Sequence, residues 1–396
     1  MTRFMTTAIH GREQRQKPYH SLVTPICTTS TFTFEDMDDV NRTQDEYLAG
    51  KYLERMEYGR YGNPTQYAAE QRLAVLEEAE AAILSASGMY AITATLLGLL
   101  SSGEHMILTQ DCYRRTRGFC STYLSRWGIE TSIVPACDIE AIEKAMRPNT
   151  RVIFTEVPTN PWLRVIDLEA LVEVAQAHGV KVIADSTIAS PCNLRPLALG
   201  VDLVVHSGTK YLGGHNDLLA GVVLGAEDLI TELRELHFNL GGVVAPQPAY
   251  NLLRGVKTLG LRVEHHNASG MAVARFLEAQ PQVKSVYYPG LPSHPDHDVA
   301  MRLMSGFGGM VSFEIDGTRE QTGAFVDALR IPYIGPSFGG TEALVIQPAI
   351  QSYCGFNVEQ RLAVGITDQL VRYAVGLEDS DDLIEDLAQA LERVCA

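Results

Sequence analysis

Five short apolar runs recur through the middle of the chain, at residues 105–109, 129–134, 151–156, 180–185 and 203–206. Each is the length of a strand buried on both faces and too short for a buried helix. Between them lie helix-like stretches, clearest at 139–146 and 168–178, the second opened by Asp167 and closed by Gly179. This alternation predicts an α/β domain on a mostly parallel sheet, with its ligand at the carboxyl ends of the strands. The polar residues suited to chemistry fall at those ends. Glu156 and Asn160 follow one run, Asp185 ends another, and Ser207, Thr209 and Lys210 follow a third.

The third of these ends, residues 202–217, reads D-L-V-V-H-S-G-T-K-Y-L-G-G-H-N-D. A strand that runs into small hydroxyl residues, Lys210, and then Gly213 and Gly214 delivers one amine into a turn where backbone can approach a ligand closely. Ser207 and Thr209 flank the amine and present hydroxyls to an anion. A lysine so placed is a candidate Schiff-base nucleophile. Asp185 ends V-I-A-D, where a carboxylate is costly without a cation or a hydrogen-bond network. It reads either as a cap for the following S-T-I-A-S or as an anion held for a ligand. Upstream, A-A-I-L-S-A-S-G-M-Y predicts a strand, a turn at Ser87-Gly88 and a buried helix whose first amides face an anion. Residues 58–65, Y-G-R-Y-G-N-P-T, form a turn presenting Tyr58 and Arg60, with Thr65 expected to cap a helix reaching Ala79. Residues 310–316 alternate like a half-exposed strand, and Arg372 interrupts an apolar strand pattern, which is expensive without an anion.

Taken together, the S-x-T-K-Y-x-G-G, Y-x-R-x-x-N-P-T, S-G-M-x-A, Asp185, S-F-G-G-T-E-A-L and Arg372 segments resemble, in order, those of the pyridoxal-phosphate (PLP) dependent Cys/Met-metabolism (trans-sulfuration) enzymes. The resemblance runs from about Tyr58 to Asp382. It implies the aspartate-aminotransferase-like PLP transferase fold (fold type I): a large domain with a mostly parallel sheet plus a smaller C-terminal α/β domain. We place an N-terminal arm at 1–57, the large domain at 58–250 and the C-terminal domain at 251–396. The resemblance also implies roles. Lys210 carries the cofactor, Asp185 partners its ring nitrogen, and Tyr113 stacks on it and exchanges protons with the leaving group. Ser87, Gly88, Met89, Ser207 and Thr209 hold the phosphate with Tyr58 and Arg60 from a neighbouring subunit, and Asn160 completes the cofactor set. Ser337 and Arg372 bind substrate, Arg372 through the α-carboxylate. After Tyr113 this chain has Arg114 and Arg115 where relatives have small residues, and Pro336 where cystathionine-cleaving relatives often have Glu. Arg115 is therefore expected to reach a distal carboxylate.

The implied activity is γ-elimination on cystathionine or methionine, giving 2-oxobutanoate, ammonia and a thiol. The alternative is γ-replacement, as in cystathionine γ-synthases and O-acylhomoserine sulfhydrylases. The family relationship implies a homotetramer of two catalytic dimers acting on a sulfur amino acid. A net charge of −16 argues against nucleic acid, no apolar run spans a membrane, and the first residues lack the apolar core of a signal peptide. Seven scattered cysteines without a C-x-x-C pair fit reduced thiols in a cytoplasm. His265 and His266 point to different helix faces, and His294 and His297 read as loop residues, so no metal is expected.

Overall fold

The computed structural model describes residues 3–13 and 15–393. The strand expected before Ser87-Gly88 is β1 (Ala81–Ser85), and the five apolar runs become strands β2 (His105–Thr109), β3 (Glu130–Val134), β4 (Thr150–Glu156), β5 (Lys181–Asp185) and β6 (Leu203–Ser207). A further strand, β7 (Gly221–Gly225), was not expected from the sequence. They form one seven-stranded sheet in the order β1-β7-β6-β5-β4-β2-β3. The block from β6 to β3 is parallel, while β7 runs antiparallel to both β6 and β1. Neighbouring residues feed opposite cores. Leu108, Phe154, Ile183 and Val205 pack on one face, and Ile107, Ile153, Val182 and Val204 on the other. Helices on both faces bury the inner strands, so their apolar runs are continuous rather than alternating, while the edge strand β3 stays partly exposed.

A second sheet is built from β8 (Val283–Tyr287), β9 (Met310–Ile315), β10 (Tyr333–Ile334), β11 (Leu344–Ile346) and β12 (Leu370–Ala374). Its order is β10-β11-β12-β9-β8, so β12, which carries Arg372, is an inner strand. The half-exposed strand expected at 310–316 is instead buried along its whole length. Its polar positions are covered by protein: Glu314 accepts a hydrogen bond from Thr367 (2.6 Å), and Ser312 lies opposite Arg372 in the register. The helix Pro246–Val256 spans the boundary expected between residues 250 and 251. After it, the 20-residue helix Leu259–Glu278 packs on β8, β9 and the closing helix Ser380–Leu391.

Among the described residues, the weakly periodic N-terminal region contains two α-helices, Phe4–His10 and Met37–Leu48, and a 3-10 turn at Pro18–His20. The second α-helix is so polar that periodicity conceals it, yet its start is marked by Asp36, whose side chain accepts from the Asp39 amide. Tyr19 and Leu22 are 94% and 89% exposed. Six cysteines are unpaired and Cys395 lies outside the described residues. Among the described residues no helix is long and apolar enough to cross a membrane.

Candidate active site

Lys210 sits in a tight turn at the end of β6. Its amide donates to the Ser207 carbonyl (3.1 Å), and its own carbonyl receives the Gly214 amide (2.8 Å). From outside, the buried guanidinium of Arg262 donates to the carbonyls of Tyr211 (2.7 Å) and Gly255 (2.8 Å). Arg262 has no ion pair among the described residues, so these backbone acceptors satisfy it. Gly214 adopts φ +70°, and a Cβ there would lie 1.9 Å from the Arg262 Nη1. The Lys210 amine donates to Ser337 Oγ (2.8 Å) and lies 5.3 Å above the Phe338 ring. Burial first, then the nearby Arg372 charge, lowers its pKa to about 8. About a tenth of such an amine is neutral at pH 7, far more than for a lysine in water.

Beside it lies a seat for an anion. The helix Gly88–Leu99 begins at Ser87, whose hydroxyl accepts the Tyr90 amide (3.1 Å), leaving the Gly88 and Met89 amides without helical acceptors. A Cβ on Gly88 would come within 2.8 Å of Ser207 Cβ, so only glycine lets this helix end approach the end of β6. Thr209 Oγ1 is fixed by Ala220, accepting its amide at 3.1 Å. Free amides, the helix dipole and the Ser207 hydroxyl converge on one spot.

Asp185 and Glu156 stand opposite each other at the ends of β5 and β4, both buried. Asp185 accepts from the Thr187 amide (3.0 Å) and from the Thr187 hydroxyl, which in turn receives the Ser207 amide (2.8 Å). Burial raises its pKa, opposed by these hydrogen bonds. Burial and then the Asp185 charge push Glu156 well above the carboxylate range. Glu156 Oε2 accepts the Tyr113 amide (2.7 Å), so this carboxyl orients the Tyr113 loop. A buried amine of lowered pKa, helix-start amides free for an anion and a buried carboxyl fit the donor set that PLP requires.

A narrow cleft opens next to this set, bordered by Tyr113, Arg114, Asn160, Tyr353 and Arg372. Arg372, 7% exposed, donates to Asn160 Oδ1 (3.3 Å) and to the Ser337 carbonyl (3.2 Å). Its Nε has no partner and no carboxylate pairs with it among the described residues. Burial lowers its pKa to about 10. Ser337 thus touches both Lys210 and Arg372, from a backbone at φ +115° that a serine rarely adopts. The Tyr113 ring, 42% exposed, stacks on no other ring among the described residues.

The arginine on the cleft wall is Arg114. Arg115, the one expected there, is exposed and outside the lining, because the short helix Arg114–Gly118 turns successive side chains about 100° apart. Arg114 makes no ion pair or hydrogen bond with a described residue. Tyr353 and Ser352 also line the cleft, and nothing periodic in their segment marks them. Tyr58 and Arg60 do not meet the Lys210 set within this chain. Arg60 donates to the Phe238 carbonyl (2.7 Å) and the Tyr61 hydroxyl (2.9 Å) instead. The helix after them is capped by Asn63, not Thr65: Asn63 accepts the Thr65 and Gln66 amides, while Thr65 is its second residue and bonds to Cys27 and Pro25.

A family model described as Cys/Met metabolism PLP-dependent enzyme matches residues 5–392. The chain is 48% identical over 375 residues to cystathionine gamma-synthase 1, chloroplastic, of Arabidopsis thaliana; this covers 94% of the chain and 66% of that longer protein. It is 45% identical over 392 residues to cystathionine gamma-lyase of Bacillus subtilis (strain 168), covering 98% of the chain and 99% of the relative. Among solved structures it resembles metB from Corynebacterium glutamicum, with a TM-score of 0.92, 34% identity, and 100% and 99% of the two chains covered.

Proposed function

This chain belongs to the Cys/Met metabolism PLP-dependent enzymes, and from that premise we propose that it is a γ-replacement enzyme of the cystathionine γ-synthase type. Its substrates would be a homoserine ester with an anionic tail and a thiol amino acid. The carrying observation is the cleft with two guanidinium groups, Arg114 and Arg372, neither paired with a carboxylate. Arg372 holds the α-carboxylate common to every substrate of the family. A second anion is then needed opposite Arg114. Methionine has none, and cystathionine brings its distal carboxylate with an ammonium that Arg114 repels. A succinyl or phosphoryl ester of homoserine brings the anion alone. A charge-assisted hydrogen bond of about 1.5–3 kcal/mol corresponds to a preference of about 10- to 150-fold.

When bound, PLP supplies an electron sink for negative charge at the substrate Cα. The Gly88 and Met89 amides and the Ser207 and Thr209 hydroxyls would hold its phosphate, Asp185 would partner its ring nitrogen, and Asn160 and Tyr113 would complete its seat. Lys210 would carry it and, as the free amine, would take the Cα proton, a task suited to an amine with a pKa of about 8. Tyr113 or Lys210 hands a proton to the leaving group. The assembly is a homotetramer of catalytic dimers, with Tyr58 and Arg60 completing the phosphate seat of the neighbouring subunit, in a cytoplasmic compartment. γ-Elimination on cystathionine or methionine, ranked first from sequence alone, is the second reading and is favoured by the similarity to the bacterial lyase.

The deciding assay gives the holoenzyme O-succinyl-L-homoserine with cysteine, and separately cystathionine or methionine, measuring cystathionine formed and 2-oxobutanoate released. Replacement with the ester should have the highest kcat/KM. Release of 2-oxobutanoate from methionine with an equal or higher value would overturn the reading.

A further inference from the structure

Tyr353 stands at the mouth of the cleft on a segment with no strand or helix periodicity. It follows the single helical turn Pro348–Gln351, and the Pro348 carbonyl receives both the Ser352 amide (2.9 Å) and the Tyr353 amide (3.0 Å). These bonds turn the Tyr353 side chain inward. Its ring meets Phe356 edge-on, centroids 5.5 Å apart, and packs on the small cluster of Ala349, Ile366 and Leu370. The ring is therefore held in place, while its hydroxyl makes no hydrogen bond with any described residue and lies along the cleft with Arg114 and Arg372. Tyr353 is half-buried, and its hydroxyl is free to bond to a ligand that enters the cleft.

We infer that Tyr353 is a specificity-determining residue, whose hydroxyl donates to the distal oxygens of the γ-substituent alongside Arg114. Burial pushes this phenol up to about 12, so it remains protonated and acts as a donor. The inference rests on the replacement reading, in which an anionic tail enters the cleft. The same hydroxyl reaching instead for the α-carboxylate beside Arg372 would affect every substrate equally, and that difference supplies the test.

Holoenzyme and its Tyr353→Phe variant are compared on O-succinyl-L-homoserine, O-acetyl-L-homoserine and methionine, the cofactor absorbance band being recorded for each protein. In the wild type the ratio of kcat/KM for the succinyl ester to that for the acetyl ester reports whether a distal anion is recognised at all. Tyr353→Phe should lower that ratio about tenfold through KM, leave methionine within about twofold, and leave the absorbance band in place. A wild-type ratio near one would overturn both the replacement reading and this inference. A high wild-type ratio that Tyr353→Phe leaves unchanged, or equal losses on all three substrates, would overturn the inference alone. Combining Tyr353→Phe with Arg114→Ala separates direct contact from packing. Two donors to one anion give losses that fail to add, and simple additivity would also overturn it.

Discussion

At the Lys210 end of the site the reactive side chains already have protein partners, with the Gly88 and Met89 amides left free for an anion, whereas the polar groups of Arg114 and Tyr353 at the other end have none. Lys210 is bonded to Ser337, Asp185 to Thr187, Glu156 to the Tyr113 amide and Thr209 to Ala220. Arg114 and the Tyr353 hydroxyl, on the cleft wall, have none. The first end is arranged before any small molecule arrives, as suits a group carried through every turnover. The second is completed only by a substrate, so the choice among substrates is made there.

The largest effect expected from breaking the prearranged end is loss of the amine. Lys210→Ala should lower turnover by at least about 10³-fold and abolish the visible cofactor band. Borohydride reduction of the wild type should label the peptide containing Lys210, and a label on another lysine would refute the assignment. Because Arg60 is engaged outside the Lys210 set of its own chain, co-expressing Lys210→Ala with Arg60→Ala should restore activity. With random pairing, half the dimers are hybrids with one intact site each, or about a quarter of wild-type activity. Confirmed hybrids without activity would mean that sites are not shared.

The arginines sharpen the comparison with a smaller effect. Arg372→Lys should raise KM about 10- to 150-fold on every substrate, since a bidentate seat becomes a point charge. Arg114→Ala should raise it about tenfold only where the γ-substituent is anionic. Arg115→Ala should change it less than about twofold, as befits an exposed side chain. Equal effects of Arg114→Ala and Arg115→Ala would erase the distinction between the two positions.

The smallest effect is one of pH. Attack requires the neutral amine, and Lys210 is lowered to about 8 from 10.5. PLP capture by the apo-protein should therefore rise with pH and level off above about 8. A rate still rising steeply above pH 9.5 would mean that the amine titrates like one in water.

The same contrast explains what the sequence disclosed. The positions of Lys210, Asp185 and the Ser87–Gly88 turn were legible because apolar runs fix where strands end. Arg114 was not separable from Arg115, because one step along a helix reverses which side chain meets the cleft and no flanking pattern sets that phase. Tyr353 was invisible for a related reason: its direction is fixed by two amides on the Pro348 carbonyl. Strand β9 was misread because alternation reports the chemistry of its side chains, while burial of Ser312 and Glu314 depends on what the rest of the chain lays over them.

The packing of Gly214 on Arg262 has a consequence for how this molecule tolerates change. A methyl group at 214 would overlap the guanidinium, and one at 255 would fall 2.2 Å from the Gly213 carbonyl. The turn that presents Lys210 is thus hemmed in at Gly214 and Gly255, where an added methyl would force Arg262 or the backbone to move. Residues 114, 115 and 353 touch none of those contacts. A library that varies these three positions can search for new tail chemistries against a lysine that stays where it is.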